Sequence, residues 1–399
     1  LRLTLFTLAL AIRLAAIFVS GPATIRFGDG IDYIDTAKAL CATHAYPATG
    51  SLPFFRAPGL PFFIVAVTAG HPERVVMIKV ALALCDALTV VLIATLFPLV
   101  VPRNPVGMTG WGRGWLAGFL AAINPFFIAA VCDVRSEPLF MVLMTAAIAL
   151  LLRNRSAASG VALALAALTR PAALVCIPLF ALFRPRRALP LLLGAALALA
   201  PWTLRNAVRF HELIVVNDAA GFNLWRGYAP EIIAIDRMHD PAAIARASWE
   251  LDARRVAQTK REIEPPAASP GRRSAAWRRA AFAEIAADPA AAVRWTLRKA
   301  WLYWRPWLNV DQYGFAAVAA SGAWNLALYV AAIVALVRCR DRRLVIAIVV
   351  YLAVVWLAHL PYQVVMRFRQ PFTDPLLIAL CTGCAGVGRR DRSGEPEAA

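Results

Sequence analysis

Apolar residues run almost unbroken through 3–20, 75–101, 115–131, 138–152, 157–169, 172–183, 188–204, 316–337, 344–360 and 371–388, with short polar joints between most of them. A bilayer core takes a helix of roughly 20 apolar residues, so the pattern predicts about ten crossings and an all-α polytopic membrane protein. Pro58–Gly70 is apolar but too short to cross, and reads as an interfacial or re-entrant helix. The runs 157–169 and 172–183 are thin, with Arg170-Pro171 between them, and read as two crossings meeting at a kink. One long stretch, 206–315, breaks the apolar rhythm. There Asp240-Pro241 and Asp288-Pro289 each pattern as an N-cap followed by proline at the first helical position, and Pro265-Pro266 to Gly271 separates one helix from the next. The segment therefore reads as a mainly helical loop domain, with a short strand at Leu213–Asn217.

Composition agrees with this reading. Of 399 residues, 60% are hydrophobic and 17% charged, which excludes disorder and a small disulfide scaffold. The net charge of +18 would suggest nucleic acid in a soluble chain. Here Arg103 and Arg113, Arg153 and Arg155, Arg184, Arg186 and Arg187, Arg338 to Arg343, and Arg389 to Arg392 sit in alternate joints, so they report topology and no nucleic-acid partner is expected. All fall on one side if that side is cytoplasmic, which predicts both termini inside and places 21–74 and 206–315 outside; long loops translocate largely regardless of charge. The chain then divides into an N-terminal transmembrane region 1–205 containing the first outer loop, the extracytoplasmic domain 206–315, C-terminal transmembrane helices 316–388 and a cytoplasmic tail 389–399. Seven scattered cysteines form no legible disulfide framework, and the Cys381/Cys384 pair lies in the last apolar run, where buried small residues are expected.

On this topology the ionisable residues near membrane depth collect at the outer ends of the spans. Asp29, Asp32, Tyr33 and Asp35 follow the first span, Arg56 precedes Pro58, and Asp133, Arg135 and Glu137 occupy one joint. Arg170, Arg205, Asn206, Arg209, Arg367 and Arg369 lie at the ends of others. Charges at such depth point to a polar cavity or substrate path. Bland readings stand beside this one: Asp29 as a cap in a Gly-flanked turn, Arg205 and Arg367 snorkelling from helix ends, and Glu137-Pro138 simply opening a helix. None of the five histidines pairs at metal-ligand spacing, which leaves a divalent metal open but not required.

Several short motifs recur in order along the chain: Gly28-Asp29-Gly30-Ile31-Asp32-Tyr33, Arg56-Ala57-Pro58-Gly59-Leu60-Pro61, Ser136-Glu137-Pro138, Leu168-Thr169-Arg170-Pro171, Pro201-Trp202-Thr203-Leu204-Arg205-Asn206, Gly221-Phe222-Asn223-Leu224, Asp288-Pro289 and Arg367-Phe368-Arg369-Gln370-Pro371. In this series the sequence resembles the multi-span C-type glycosyltransferases, the group that includes dolichyl-phosphate-mannose protein mannosyltransferases and bacterial aminoarabinose transferases. The resemblance implies transfer of a monosaccharide from a polyprenyl-phosphate carrier to a lipid, glycan or protein acceptor on the extracytoplasmic face, in a bacterial inner membrane. It places Asp29 at the family's catalytic acidic position, as general base, and Glu137 at the second acidic position. Charge logic assigns Arg56, Arg205 and Arg367, with Arg170 beside them, to the phosphate that leaves. Tyr33 at i+4 from Asp29, with Asp32 and Asn206, is expected to position the acceptor, although Asp32 is not required by the family pattern.

No cytoplasmic joint is long enough for a nucleotide-binding βαβ unit and no GxGxxG or P-loop occurs, so an activated sugar would arrive on lipid. The rival classes are a secondary transporter or lipid flippase, which predicts internal repeats and charges at the bilayer midplane, and a non-catalytic polytopic scaffold. No repeat between the halves is visible.

Overall fold

The computed structural model describes residues 2–26, 28–49, 54–100, 110–236, 247, 268–308, 310–339 and 341–384. The chain opens with α1 (Arg2–Ser20), α2 (Gly28–Thr43), α3 (Gly59–Val67) and α4 (Val75–Val100). A broken pair follows, α5 (Gly110–Ala122) and α6 (Pro125–Val131), and then α7 (Glu137–Leu152) and α8 (Ser156–Thr169). A 3-10 turn at Pro171–Val175 leads into α9 (Cys176–Phe183), and α10 (Ala188–Phe210) ends the first half. The polar segment contributes α11 (Ala220–Arg226), α12 (Pro230–Asp236), α13 (Pro270–Ala287) and α14 (Pro289–Trp304). The last helices are α15 (Val310–Arg338), α16 (Arg342–His359) and α17 (Met366–Cys384). No strand occurs among the described residues.

A helix occupies the described part of every apolar run. Among the described residues five helices are long and apolar enough to cross a membrane, six if α5 and α6 form one bent span, which makes this a multi-pass integral membrane protein. The runs at 138–152, 157–169 and 172–183 form shorter apolar helices. α17 carries Arg367, Arg369 and Asp374 and is not among the helices that meet the length and hydropathy requirement. The structure therefore gives five or six full-length spans where about ten crossings are expected from the runs. The nine-residue α3 is too short to cross, as its sequence implies.

One large core, including Leu5, Ile93, Phe127, Phe140, Phe180 and Phe372, joins α1, α4 to α10 and the C-terminal helices. α5 and α6 meet at 52°, and the cause is local. Arg13, fully buried on α1, donates from Nε to Asp86 of α4 at 2.6 Å and from its remaining nitrogens to the carbonyls of Ala121 and Ala122. Those carbonyls belong to the end of α5, where intrahelical donors run out. Asn124 then caps α6, accepting from the amides of Phe126 at 2.9 Å and Phe127 at 3.3 Å, with Pro125 in the first turn.

The polar segment has a core of its own around Phe222, Trp225, Trp277 and Trp295, and Phe54 from the first loop is inserted into it. Asp288 caps α14 by accepting from the Ala291 amide at 2.8 Å, as its Asp-Pro pattern predicts. The Asp240-Pro241 and Pro265-Pro266 breaks and the tail 389–399 lie outside the described residues. The strand expected at Leu213–Asn217 does not form. α10 side chains take up the backbone acceptors that a neighbouring strand would have used: Trp202 Nε1 donates to Val216 O (2.6 Å), Thr203 Oγ1 to Val215 O (3.1 Å) and Asn206 Nδ2 to Ile214 O (2.9 Å).

Candidate active site

Asp29, Asp32, Arg56, Glu137, Arg170 and Arg367 gather where α2, α7 and α17 begin and α8 ends, with Arg56 on the loop before α3. Two close backbone approaches set the geometry. Gly30 on α2 packs against the α6–α7 joint, where an added Cβ would lie 3.0 Å from Val134 O. Gly59, opening α3, sits on the end of α8, with the same atom 2.9 Å from Leu168 O. The Gly28-Asp29-Gly30 motif is thus brought against the joint that carries Glu137, and Arg56-Ala57-Pro58-Gly59 against the helix end that carries Arg170.

Asp29 is the focus. Arg56 Nη2 donates to its Oδ1 at 3.1 Å and Arg367 Nη2 to its Oδ2 at 2.7 Å, so each carboxylate oxygen faces one guanidinium. The side chain is 34% exposed, open to a ligand. Burial pushes the Asp29 carboxyl up, but Arg56 and then Arg367 outweigh it and hold it well below the usual carboxylate range. Arg56 also donates from Nε to the buried Asp32, and lies over the Tyr33 ring at 4.9 Å. Asp29, Asp32, Tyr33, Arg56 and Arg367 therefore form one contact group.

Glu137 and Arg170 form an adjoining pair, with Arg170 Nη1 at 3.1 Å from Glu137 Oε1 and 3.4 Å from Ser136 Oγ. The Phe368 ring lies between the groups, 5.2 Å from the Arg170 guanidinium carbon and 5.3 Å from that of Arg367. Arg367 feels both Glu137 and Asp29 electrostatically.

Arg205 and Asn206 stand apart from this group. The Arg205 guanidinium lies over the rings of Trp202 (4.8 Å), Phe210 (5.3 Å) and Tyr46 (5.7 Å), and donates to Asn206 Oδ1 and Tyr46 O, both at 2.9 Å. Asn206 is fully buried, its amide spent on Ile214 O and Arg205. Tyr46, which no motif marks, links the two regions: its hydroxyl donates to Arg56 O at 2.9 Å while its own carbonyl accepts from Arg205. Phe368 was likewise unmarked as a functional residue.

Beside Arg205 opens a groove of about 1000 Å³ whose walls are mainly apolar, formed by Tyr46, Phe62, Leu143, Leu168 and Trp202 among others. A mainly apolar groove with the Arg205 and Arg209 guanidiniums in its wall suits an amphiphile with a negative head. Among the described residues no group of three or more His, Cys, Asp or Glu is placed to share a metal ion.

No protein-family model matches the sequence, and no curated protein does so. Among solved structures, the chain is similar to the archaeal oligosaccharyltransferase AglB from Archaeoglobus fulgidus, in complex with an inhibitory peptide and a dolichol-phosphate. The TM-score is 0.52 at 13% identity, over 95% of this chain and 50% of AglB, so the chain spans about half the length of that enzyme. It also aligns with ArnT from Cupriavidus metallidurans bound to undecaprenyl phosphate, at a TM-score of 0.42 and 15% identity over 95% of this chain and 77% of that one. The apo state of ArnT gives 0.41 and 18% over 94% and 77%. The match to AglB is one of architecture: the chain shares a polytopic, all-helical membrane fold with that protein.

Proposed function

We propose that the chain is an integral membrane glycosyltransferase that moves a monosaccharide from a polyprenyl-phosphate carrier to a lipid, glycan or protein acceptor on the extracytoplasmic face of a bacterial inner membrane. On this reading the shorter helices complete a bundle of about ten crossings with both termini cytoplasmic, and 206–315 is the extracytoplasmic domain. The observation that carries it is the half-open Asp29 carboxylate held by two arginines near an apolar groove.

That arrangement supplies both halves of a transfer. Clamped by Arg56 and Arg367, Asp29 is ionised but a poor base. A donor phosphate entering the group competes for the same guanidiniums, and each hydrogen bond that moves from Asp29 to phosphate restores basicity to the carboxylate. The acceptor O–H or N–H proton then passes to Asp29 as the acceptor atom bonds to the anomeric carbon. The bond from that carbon to the phosphate oxygen breaks, and the polyprenyl phosphate departs with one more negative charge. Arg56 and Arg367, with Arg170 behind them, stabilise that charge from fixed positions. Arg205, at the groove, guides the phosphate end of the lipid into the group. Glu137 holds Arg170 in place, and Tyr33 and Asp32 flank the acceptor position. Asn206 acts from behind, by fixing Arg205.

The test is genetic and chemical. Deleting the gene should remove one monosaccharide from the envelope lipids or glycans, as read by mass spectrometry. Wild type should restore it, and an Asp29→Asn protein present at wild-type level in the membrane should not. Full restoration by Asp29→Asn would end the assignment.

A further inference from the structure

Arg56 contacts both Asp29 and Asp32, yet it comes from a loop, and a loop does not by itself hold a guanidinium to ångström precision. The backbone around it is pinned at both ends. Its own carbonyl accepts from Tyr46 Oη, and the amide of the preceding residue, Phe55, donates to Asp218 Oδ1 at 3.1 Å. The neighbouring rings go to opposite partners: Phe54 enters the core of the polar segment, and Phe55 packs with Tyr46, Trp202 and Ile214.

Asp218 is almost fully buried, and its other oxygen accepts from Arg273 Nη2 of α13 at 3.0 Å. That same nitrogen also donates to Ala48 O at 3.0 Å, so α13 holds the first loop at a second point. Asp218 itself follows the extended segment that Trp202 and Asn206 clasp. We propose that Asp218, locked by Arg273, is a positioning residue for Arg56: the polar segment aims the phosphate-binding guanidinium by gripping the peptide just before it. The inference rests on the transferase reading for its phosphate, but not for its geometry.

Stability alone does not account for this carboxylate. Burial pushes it up to about 6, more than Arg273 and the Phe55 amide pull it down. With the folded value raised, stability is lost as pH rises from the ordinary carboxylate range through about 6, so at neutral pH the ionised group contributes less stability than its protonated form would.

Full-length protein in nanodiscs decides the matter, with amide hydrogen exchange at Phe55 and binding of undecaprenyl phosphate as the two readouts. Asp218→Ala should speed Phe55 exchange and weaken binding by about tenfold each, the worth of one hydrogen bond to a charged acceptor. Asp218→Asn keeps an acceptor for Phe55 and should restore most of both, while its amide gives up the ion pair with Arg273. Unchanged Phe55 exchange in Asp218→Ala would overturn the proposal. So would an Asp218→Asn protein that loses binding and thermal midpoint together, since that marks a merely structural contact. Failure of wild type to bind undecaprenyl phosphate would count against the transferase reading instead, while the exchange result would still decide whether Asp218 holds the loop.

Discussion

Two arginine–carboxylate sets in this molecule look alike on paper and are built to opposite ends. Arg13 and Asp86 are both 0% exposed, and the guanidinium spends its nitrogens on Asp86 and on the carbonyls that end α5. Arg56, Arg367 and Asp29 use similar bonds, but the carboxylate is 34% and Arg367 33% exposed, and an apolar groove lies nearby. The first set has no room for another ligand and fixes a helix break. The second is incomplete as it stands, because an anion can take over bonds now made to Asp29. What separates a structural ion pair from a candidate site here is whether its partners can be exchanged, not the pairing itself.

Charge-neutral substitution should split the two sets most sharply. Asp29→Asn is expected to lower transfer on the order of 10²–10⁴-fold because the amide cannot take the proton, with a small change in thermal midpoint because the ion pairs to Arg56 and Arg367 that it gives up are partly open to solvent. Arg13→Met should do the reverse, costing about 3–5 kcal/mol by leaving Asp86 charged and unpaired in the apolar interior. Adding Asp86→Leu should recover most of that cost, because a well-packed apolar pair often replaces a buried ion pair without loss. Denaturant unfolding in mixed micelles measures both; a double variant no better than Arg13→Met would show that the Ala121 and Ala122 carbonyls, not the charge, set the cost. A smaller contrast lies within the site. Gly59→Ala places a methyl 2.9 Å from Leu168 O and should cost about 1–3 kcal/mol and displace α3 from the Arg170 end of α8. Gly28→Ala meets nothing within 4 Å and should stay within about 0.5 kcal/mol of wild type.

The helices were legible because a long apolar run in a membrane chain has one good backbone solution, the α-helix, and the run fixes its extent. The candidate site was legible in part, because charges at span ends are costly enough to need a reason. Its internal grouping was not. Arg56, Asp29 and Arg367 converge, whereas Arg205 sits one tyrosine away, and the spacing along the chain carries no record of that Tyr46 link. Arg13 and Asp86 are 73 positions apart in separate apolar runs, so neither announced the other. Arg369 was marked as a span-end charge, but its pairing with Asp374, 3.4 Å away and fully buried on the same helix, was not. The strand expected at Leu213–Asn217 failed for a related reason: its side chains suit an extended chain, but α10 donors, not a neighbouring strand, claimed its carbonyls.

Lys299 extends the comparison to a cation with no acid partner among the described residues. Its side chain is fully buried on α14, with Nζ 3.1 Å from Gly227 O and 3.8 Å from the centre of the Tyr228 ring. Burial pushes the amine down to about 7. The unfolded chain then holds more protons than the folded one between about 7 and the ordinary lysine value, so stability from this residue rises with pH across that window and the penalty is fully present below it. Lys299→Met keeps the length and drops the charge, and Gly227 O keeps a donor, Trp295 Nε1 at 2.9 Å. The variant should therefore melt about 2 °C above wild type near pH 6, with the gap closing toward pH 9 as wild type sheds its proton. A gap that is the same at both pH values would mean that Lys299 is not desolvated enough to titrate in this range, and that carbonyl and ring together hold an ammonium as well as a carboxylate does.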